Sequence, residues 1–352
     1  MEIPETMKAV RFHEHGGPEV LRYEDAPVPS CGPNDALVRV RACALNHLDL
    51  WTRIGVRGWQ IPLPHILGND IAGEVAAVGS EAGHLEPGLE CFVHPGIPGG
   101  PSLERLRGDD NIAPDYDIYG LFADGGYAQY VRVRADNVFP KPANLGWEET
   151  AAFPLTFLTA WHMLGPRRAN LRSGETVLVM AGSSGVGAAA IQLAKGRGCH
   201  VIATVGSAEK GALAQGIGAD ETIDHYEHEG QIHKQVYALT GGQGVDVVVE
   251  HVGAKVFGQC LKSLRKGGRL VTCGATTGPR TELDLQLLFA KHLTVYGSFM
   301  GSMSETLELL PLIERGEVRP VVDSVMPLTE AATAHERMAH SEHFGKIVLT
   351  VE

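Results

Sequence analysis

The chain has 352 residues, 44% of them hydrophobic, and a formal net charge of −12, which is an ordinary globular balance with room for two domains at roughly 150 residues each. The negative charge repels phosphate backbones and argues against nucleic acid as a main partner. No run approaches the roughly 18 apolar residues of a membrane span, and the opening MEIPETMKAV resembles no secretory signal. We therefore expect a soluble, cytoplasmic protein without a membrane partner.

The six cysteines are scattered along the chain, and no two of them stand at a C-x₂-C or C-x₄-C spacing. A chain of this length can bury a sizeable core without disulfides. We expect reduced thiols and no metal site built from cysteine.

The first third predicts β structure. Val38 and Val40 alternate with Arg39 and Arg41, as in a half-buried strand. The polar, Gly/Pro-rich stretch 95–124 predicts a surface excursion or lid. The predicted strands of this region are 7–12, 36–42, 71–78, 90–94 and 127–133.

From residue 176 onward, short apolar runs alternate with helical patterns, which predicts a parallel sheet covered by helices. Ser302-x-x-Glu305 predicts the start of a helix over 304–315. The strands predicted near 320–326 and 346–351 are expected to return to the first domain. The expected domains are 1–148 with 300–352, and 149–299. The other predicted elements are strands 176–180, 200–205, 245–250, 269–273 and 293–298 and helices 186–197, 229–240, 255–265 and 283–292.

A glycine-rich loop follows the strand ending at Met180 and precedes a helical pattern. Strand, glycine loop and helix form the context that a dinucleotide-binding fingerprint requires, although Ser184 replaces its middle glycine. Backbone amides at the helix start would bind the pyrophosphate. The alternative is a tight strand-to-helix turn. The predicted cofactor-binding residues of this loop are Gly182, Ser184, Gly185 and Val186.

The second strand of this region indicates which dinucleotide binds. NAD-binding proteins usually place Asp or Glu at its end, against the ribose 2′-OH. Here the strand ends at Val205, and Gly206, Ser207 and then Lys210 follow. Hydroxyl and ammonium donors suit a 2′-phosphate, so NADP(H) is favoured. The alternative is a solvated Lys210, and Glu209 beside it weakens the case.

Together the motifs resemble the medium-chain dehydrogenase/reductase family over nearly the whole chain. The resemblance implies an α/β protein with a GroES-like β-rich catalytic domain and a Rossmann doubly wound parallel-sheet domain. Its quinone oxidoreductase-like branch and the zinc-less alcohol dehydrogenase-like neighbours are the most similar. The motifs are Ala44-Leu-Asn-His-Leu-Asp49, Leu67-Gly-Asn-Asp-Ile-Ala-Gly-Glu-Val75, Gly125-Gly-Tyr-Ala-Gln-Tyr130, the run 151–161, Gly244–Gly253, Gly268–Gly274 and Phe344–Leu349.

The resemblance also implies cofactor contacts outside the glycine loop. His225 closes the third strand, where related reductases often place a Tyr against the 2′-phosphate. Thr159 is expected near the nicotinamide, opposite Asn46 in the cleft between the domains. The alternative for Thr159 is a bond to its own helix. The remaining cofactor-binding residues implied are Asn46, Val252, Cys273, Gly274, Phe299 and Lys346.

The departures from the family's zinc enzymes predict an enzyme without zinc. Asn46 stands at the first ligand position, Asn69 at the histidine position before Asp70, and Leu155 near the third. The 95–120 region, where the structural zinc lobe would lie, has no cysteine. Amides and one carboxylate bind zinc poorly. The alternative is a site rebuilt from His47, His65, His94 and Asp49.

Without a Lewis acid, reduction of a conjugated carbonyl or quinone is easier than alcohol–ketone interconversion. We therefore expect NADPH-dependent reduction of quinones or α,β-unsaturated carbonyls by a homodimer. The candidate catalytic residues are Asn46, as polar anchor, and Trp51, in the substrate cleft where related reductases carry Tyr. Asn46 could instead cap a local turn. The alternative functions are an alcohol/aldehyde dehydrogenase with a rearranged metal site and a low-turnover NADP(H)-binding sensor.

Overall fold

The computed structural model describes residues 3–56 and 58–352, which divide into two compact units. The first contains the chain up to Leu155 together with Ser302–Glu352, and the second is Thr156–Gly301. No helix within the described residues is long and apolar enough to cross a membrane.

The strands, in chain order, are β1 Thr6–Phe12, β2 Arg22–Pro27, β3 Asp35–Ala44, β4 His65–Ile66, β5 Asp70–Val78, β6 Glu90–Val93, β7 Gly96–Ile97, β8 Asp117–Ile118, β9 Tyr130–Arg134, β10 Val138–Pro140, β11 Thr176–Val179, β12 His200–Val205, β13 Glu221–Asp224, β14 Val245–Glu250, β15 Leu264–Thr272, β16 Thr294–Gly297, β17 Val322–Pro327 and β18 Lys346–Thr350. The α-helices are α1 His47–Ile54, α2 Leu103–Leu106, α3 Trp147–Ala152, α4 Pro154–Leu164, α5 Gly185–Gly196, α6 Ala208–Gly216, α7 Ile232–Leu239, α8 Ala254–Ser263, α9 Leu285–Ala290, α10 Met303–Glu314 and α11 Ala331–Ala339.

The first unit is built on a seven-stranded sheet in the order β10-β6-β5-β3-β18-β17, with β9 also paired to β3. The alternation predicted for β3 is present, because Val38 and Val40 are buried while Arg39 and Arg41 are half-exposed. As predicted, the last strands return to this unit: β18 runs antiparallel to β3 and parallel to β17.

Helix α3 lies against this sheet through a core of small side chains. Their size lets the helix approach the strands closely, so its packing places it with the first unit. The core consists of Ala42, Ala44, Ala72, Ala151, Ala152 and Val348.

The second unit is a six-stranded parallel sheet in the order β13-β12-β11-β14-β15-β16. Its strand order reverses between β11 and β14, and sheets of this kind bind ligands at the carboxyl ends of the strands beside such a reversal. The glycine loop after β11 and the loop after β14 both begin at that edge.

Some predicted boundaries differ from those observed. The predicted strand 127–133 begins at Tyr130, because the backbone of Tyr127 bonds instead to Leu67 and Val10. The predicted helix 283–292 is shortened to α9, which Asp284 caps and which is followed by His292 with a positive φ of 53°.

The 95–124 stretch has secondary structure of its own and is attached to the start of α10. It contains the β7–β8 pair, α2 and a 3-10 turn at Asp110–Ile112. The buried Asp110 carboxylate accepts the Met303 backbone N–H at 3.1 Å, and the Ser304 hydroxyl donates to the Gly108 carbonyl at 3.1 Å. The first N–H groups of a helix have no partner within it, so Asp110 supplies one from a distant segment.

We predict that Asp110→Ala lowers the free energy of unfolding by about 1–2 kcal/mol, the cost of a lost helix-start acceptor. Urea denaturation monitored by circular dichroism measures the change. Glu81→Ala, which removes an exposed carboxylate from the same unit, is the control and should change little. Equal stability of the Asp110 variant and wild type would show that this contact does not fasten the 95–124 stretch.

Candidate functional site

Asn46 stands where β3 ends and α1 begins, and its side chain does not cap the local turn. Its backbone N–H donates to the Asp49 carboxylate at 2.7 Å, and the Asp49 backbone N–H donates to the Asn46 carbonyl at 3.0 Å. Neither of these bonds at the helix start uses the Asn46 side-chain amide, which is left for other contacts.

That amide belongs to a buried polar group with Asp70 and Lys346, called here the Asn46 cluster. The Asn46 Nδ2 donates to Asp70 Oδ2 at 2.8 Å. The Lys346 ammonium donates to Asn46 Oδ1 at 2.6 Å and to Asp70 Oδ2 at 2.9 Å. The other Asp70 oxygen accepts the Leu155 backbone N–H at 2.7 Å. Exposed fractions of 7%, 0% and 3% for Asn46, Asp70 and Lys346 show that water does not supply these bonds.

The positions expected to replace zinc ligands do not form a metal site. Asn46 binds Lys346, Leu155 contributes its backbone N–H, and the Asn69 Nδ2 donates to the Tyr119 carbonyl at 2.7 Å. An ammonium already contacts the Asn46 and Asp70 oxygens, and a divalent cation there would have to displace it. These residues do not fit zinc.

The rebuilt site considered from the sequence does not assemble either. His65 Nδ1 lies 3.4 Å from Asp124, His94 Nδ1 bonds to the Thr306 hydroxyl at 2.8 Å, and the Asp49 oxygens accept the Asn46 and Gly68 amides. The described residues contain no group of three or more His, Cys, Asp or Glu side chains placed to hold a metal ion.

Trp51 lies on α1, one turn from His47, with the two ring centroids 6.2 Å apart. Its side chain is half-buried. The helix that Asn46 precedes therefore also carries Trp51.

In the second unit, the glycine loop has the shape that a dinucleotide-binding turn needs. A Cβ on Gly187 would collide with the Ala181 carbonyl, so only glycine allows α5 to start this close to β11. The Ser184 side chain and carbonyl accept the amides of Gly187 and Ala188 at 2.9 and 2.8 Å. The other two amides of the first turn, Gly185 and Val186, have no acceptor within the helix and can bind an anion.

Sequence reasoning missed His251, which lies at the strand-order reversal. Its Nε2 is 3.2 Å from the Ser184 hydroxyl. Burial lowers the pKa of His251 to about 4, so the ring is neutral at pH 7. The next residue, Val252, donates its N–H to Glu250, which also accepts the Gly253 amide and the Thr272 hydroxyl. The signal available in the sequence was its position directly after a buried strand.

The residues proposed for a 2′-phosphate lie at neighbouring strand ends. Ser207 caps α6 by accepting the Lys210 amide at 3.2 Å, and the His225 backbone N–H donates to the Val205 carbonyl at 2.9 Å. Burial first, and Lys210 in addition, lower the pKa of His225 against the opposing effect of Asp224. Tyr226, which sequence reasoning missed, is 71% exposed with its ring centroid 4.4 Å from that of His225.

The remaining residues implied to bind the cofactor range from buried to half-exposed. Thr159 is buried, and its hydroxyl has no hydrogen-bond partner among the described residues, so it does not bond back to its own helix. Cys273 donates its backbone N–H to the Glu250 carbonyl at 3.1 Å, and burial raises its pKa to about 12. A Cβ on Gly274 would lie 2.6 Å from the His251 carbonyl. Phe299 is 50% exposed.

The buried Asp49 carboxyl makes the stability of the folded protein depend on pH. Burial raises its pKa to about 7, against the Asn46 and Gly68 amides, which lower it. Because the folded pKa lies above the unfolded value, the folded state holds the proton more tightly. Stability from this group is therefore fully present below about pH 4 and declines as the pH rises towards 7. We predict that Asp49→Asn removes this decline, as measured by melting temperature against pH. Parallel curves for variant and wild type would contradict it.

Comparison with known proteins identifies the scaffold. The alcohol dehydrogenase GroES-like domain model matches residues 32–143, and the zinc-binding dehydrogenase model matches residues 185–315. A quinone oxidoreductase of Pseudomonas aeruginosa is 35% identical over 97% of this chain and 99% of its own.

Two solved structures are also similar over nearly the whole chain. An NAD-dependent alcohol dehydrogenase is 45% identical with a TM-score of 0.94, covering 98% of this chain and 100% of its own. A 2-octenoyl-CoA carboxylase/reductase in complex with NADP and 2-octenoyl-CoA is 29% identical with a TM-score of 0.92, covering 99% and 88%. The expected GroES-like and Rossmann architecture is confirmed, and the chain belongs to the medium-chain dehydrogenase/reductase family of oxidoreductases.

Proposed function

We propose that this oxidoreductase uses NADPH, without zinc, to reduce quinones or α,β-unsaturated carbonyls. The observation that carries the proposal is the Asn46 cluster, in which the Lys346 ammonium contacts the side chains at and beside the family's metal-ligand positions. The quinone oxidoreductase relative and the enoyl-CoA carboxylase/reductase neighbour support a conjugated substrate.

The substrate class follows from the donors present. When bound, NADPH supplies a hydride to the electron-poor carbon of the substrate. Negative charge then develops on the carbonyl or quinone oxygen, spreads through the conjugated system and is neutralised by a proton from solvent. Hydrogen-bond donors can stabilise such a delocalised charge, whereas a localised alkoxide needs stronger stabilisation, from a metal ion or a general acid. Asn46 would donate to that oxygen, and Trp51 would pack against the conjugated plane.

For the cofactor, we propose that the glycine loop and α5 bind the pyrophosphate and that Ser207, Lys210, His225 and Tyr226 bind the 2′-phosphate. Two hydroxyl groups, an ammonium and an imidazole suit a dianion. The neighbour solved with NADP supports this choice.

We predict that NADPH binds more tightly than NADH and that Lys210→Ala weakens NADPH by about 1–3 kcal/mol, the scale of a lost charge-assisted hydrogen bond. NADH affinity should hardly change, because NADH lacks the 2′-phosphate. Fluorescence titration measures both affinities. Lys234→Ala, which removes an exposed lysine of the same unit, is the control. Equal losses for both cofactors would overturn the NADP(H) assignment.

The proposed activity is tested by following NADPH oxidation with a panel of quinones and enones, using protein whose metal content has been measured. We predict turnover by protein that holds far less than one zinc per chain, because the site lacks thiolates and clustered imidazoles, and no inhibition by a chelator. Asn46→Ala should lower kcat/KM by roughly 10²-fold, the effect of removing one oxyanion donor. Stoichiometric zinc, with activity lost on chelation, would refute the zinc-free reaction.

A second candidate is an alcohol or aldehyde dehydrogenase with a rearranged metal site, favoured by the similarity to the 45% identical NAD-dependent alcohol dehydrogenase. The same purified protein discriminates between the two. NAD⁺-dependent oxidation of simple alcohols, together with no turnover of quinones or enones, would favour the second candidate.

We also propose a homodimer paired along β16. This strand is the last in its sheet, and Val295 on it is 37% exposed. Unpaired strand edges invite pairing, and a two-fold arrangement would cover both copies. We predict a dimer mass by light scattering at micromolar concentration, and a monomer for a variant carrying Val295→Pro, which cannot extend the ladder. A monomeric wild type would contradict the proposal.

A further inference from the structure

We propose, building on the function above, that Lys346 and Asp70 are positioning residues. They fix the Asn46 amide in one orientation, so that its single uncommitted N–H serves as the donor to the substrate oxygen. Lys346 thereby acts through Asn46, and not as a cofactor ligand.

The Asn46 amide has one more hydrogen-bond donor than its contacts in the cluster use. An asparagine side chain offers two N–H donors and one oxygen acceptor. In the Asn46 cluster the oxygen accepts from the Lys346 ammonium at 2.6 Å, and one N–H donates to Asp70 at 2.8 Å. The second N–H donates to no other described residue, so one donor remains.

The opposite charges of Lys346 and Asp70 determine which way the Asn46 amide is oriented. Rotating the amide by 180° would bring its NH₂ against an ammonium and its oxygen against a carboxylate. Both contacts would be repulsive, at a buried position where electrostatic interactions are strong. Lys346 and Asp70 therefore select one of the two amide orientations. The ammonium also draws electron density from the amide, which makes the remaining N–H a stronger donor.

The register of three adjacent strands holds the residues of the Asn46 cluster together. Ala44 of β3 pairs with Asp70 of β5 on one side and with Val348 of β18 on the other. The Leu45 amide also donates to the Ile347 carbonyl at 3.0 Å. The three side chains of the cluster thus start from the ends of three adjacent strands, which a rigid sheet holds in place.

The burial of Lys346 favours a role in positioning Asn46 over a role in binding the cofactor. At 3% exposure, with two of its three N–H donors committed inside its own unit, Lys346 is held in place by the Asn46 cluster. A lysine that served chiefly to bind phosphate would need its ammonium available to the nucleotide.

A double-mutant cycle between Asn46 and Lys346 tests the proposal. We expect Lys346→Met to lower kcat by roughly 10-fold to 100-fold, which is no more than the loss from removing an oxyanion donor. The Kd of NADP⁺ should stay within twofold of the wild-type value. Asn46→Ala combined with Lys346→Met should be no worse than Asn46→Ala alone, because Lys346 acts only through that amide. Lys141→Met, at a largely buried lysine of the same unit that binds the Leu145 carbonyl, is the control.

Lys346→Met leaves the buried Asp70 without its charge partner and could therefore impair folding. Two further variants distinguish a folding defect from the loss of positioning. Lys346→Arg keeps the charge and should recover part of kcat. Asp70→Asn combined with Lys346→Met removes both charges and should lose at least as much kcat as Lys346→Met, but no more than Asn46→Ala. Additive losses in the double-mutant cycle, or a weaker Kd for NADP⁺ with kcat unchanged, would overturn the positioning role.

A readout independent of turnover keeps this inference separate from the proposed function. The Asn46 side-chain NH₂ resonances, assigned by their loss in Asn46→Ala, should be slowly exchanging in wild type and should broaden or shift in Lys346→Arg. If wild type reduces no quinone or enone but these resonances depend on Lys346, the proposed substrate is wrong and the positioning role stands. Resonances insensitive to every substitution at Lys346 would overturn the positioning role itself.

Discussion

The ion pair between Lys346 and Asp70 is the interaction on which the geometry of the Asn46 cluster depends. A buried ammonium is costly unless a carboxylate and further acceptors surround it, and here Asp70 and Asn46 provide both. The cost is met only if β3, β5 and β18 keep their register, because the residues of the cluster lie 24 to 300 positions apart in sequence. The sheet and the polar cluster therefore depend on each other.

Under the proposed function, this chain keeps the family's scaffold and carries out its reaction without the family's metal ion. The matched zinc-binding dehydrogenase model describes the Rossmann segment of this chain, whereas the residues at the metal-ligand positions are two asparagines and a leucine. In the proposed reaction, the Lys346 ammonium acts on the reacting oxygen indirectly, through its hydrogen bond to the Asn46 amide. Such a donor suits a charge that is already delocalised, which connects the proposed zinc-free reaction with the proposed conjugated substrate.

Much of the fold was predictable because it follows local periodicity. Alternation predicted β3, and the βα rhythm after residue 176 predicted most elements of the second unit to within a few residues, although helix α6 was not among them. Ser302 caps α10, as its capping pattern predicts. The boundaries that differed depend on tertiary contacts, such as the bonds that draw Tyr127 out of β9.

The site was predictable only in part. Motif positions indicated Asn46 and the glycine loop, but the Lys346–Asp70 contact joins residues 276 positions apart and leaves no local pattern. His251 and Tyr226 were missed for a related reason. Each matters because a second strand ends beside it, and the strand order that brings those ends together is a property of the folded sheet.

A crystal structure of the protein with NADP⁺ and an unreactive enone or quinone analogue would show whether Asn46 binds the substrate oxygen. We predict the ligand's carbonyl oxygen within hydrogen-bonding distance of Asn46 Nδ2, with the Lys346 ammonium still bound to Asn46 and Asp70. A carbonyl oxygen bound to a metal ion, or Lys346 released from the cluster to contact the nucleotide phosphates, would contradict it.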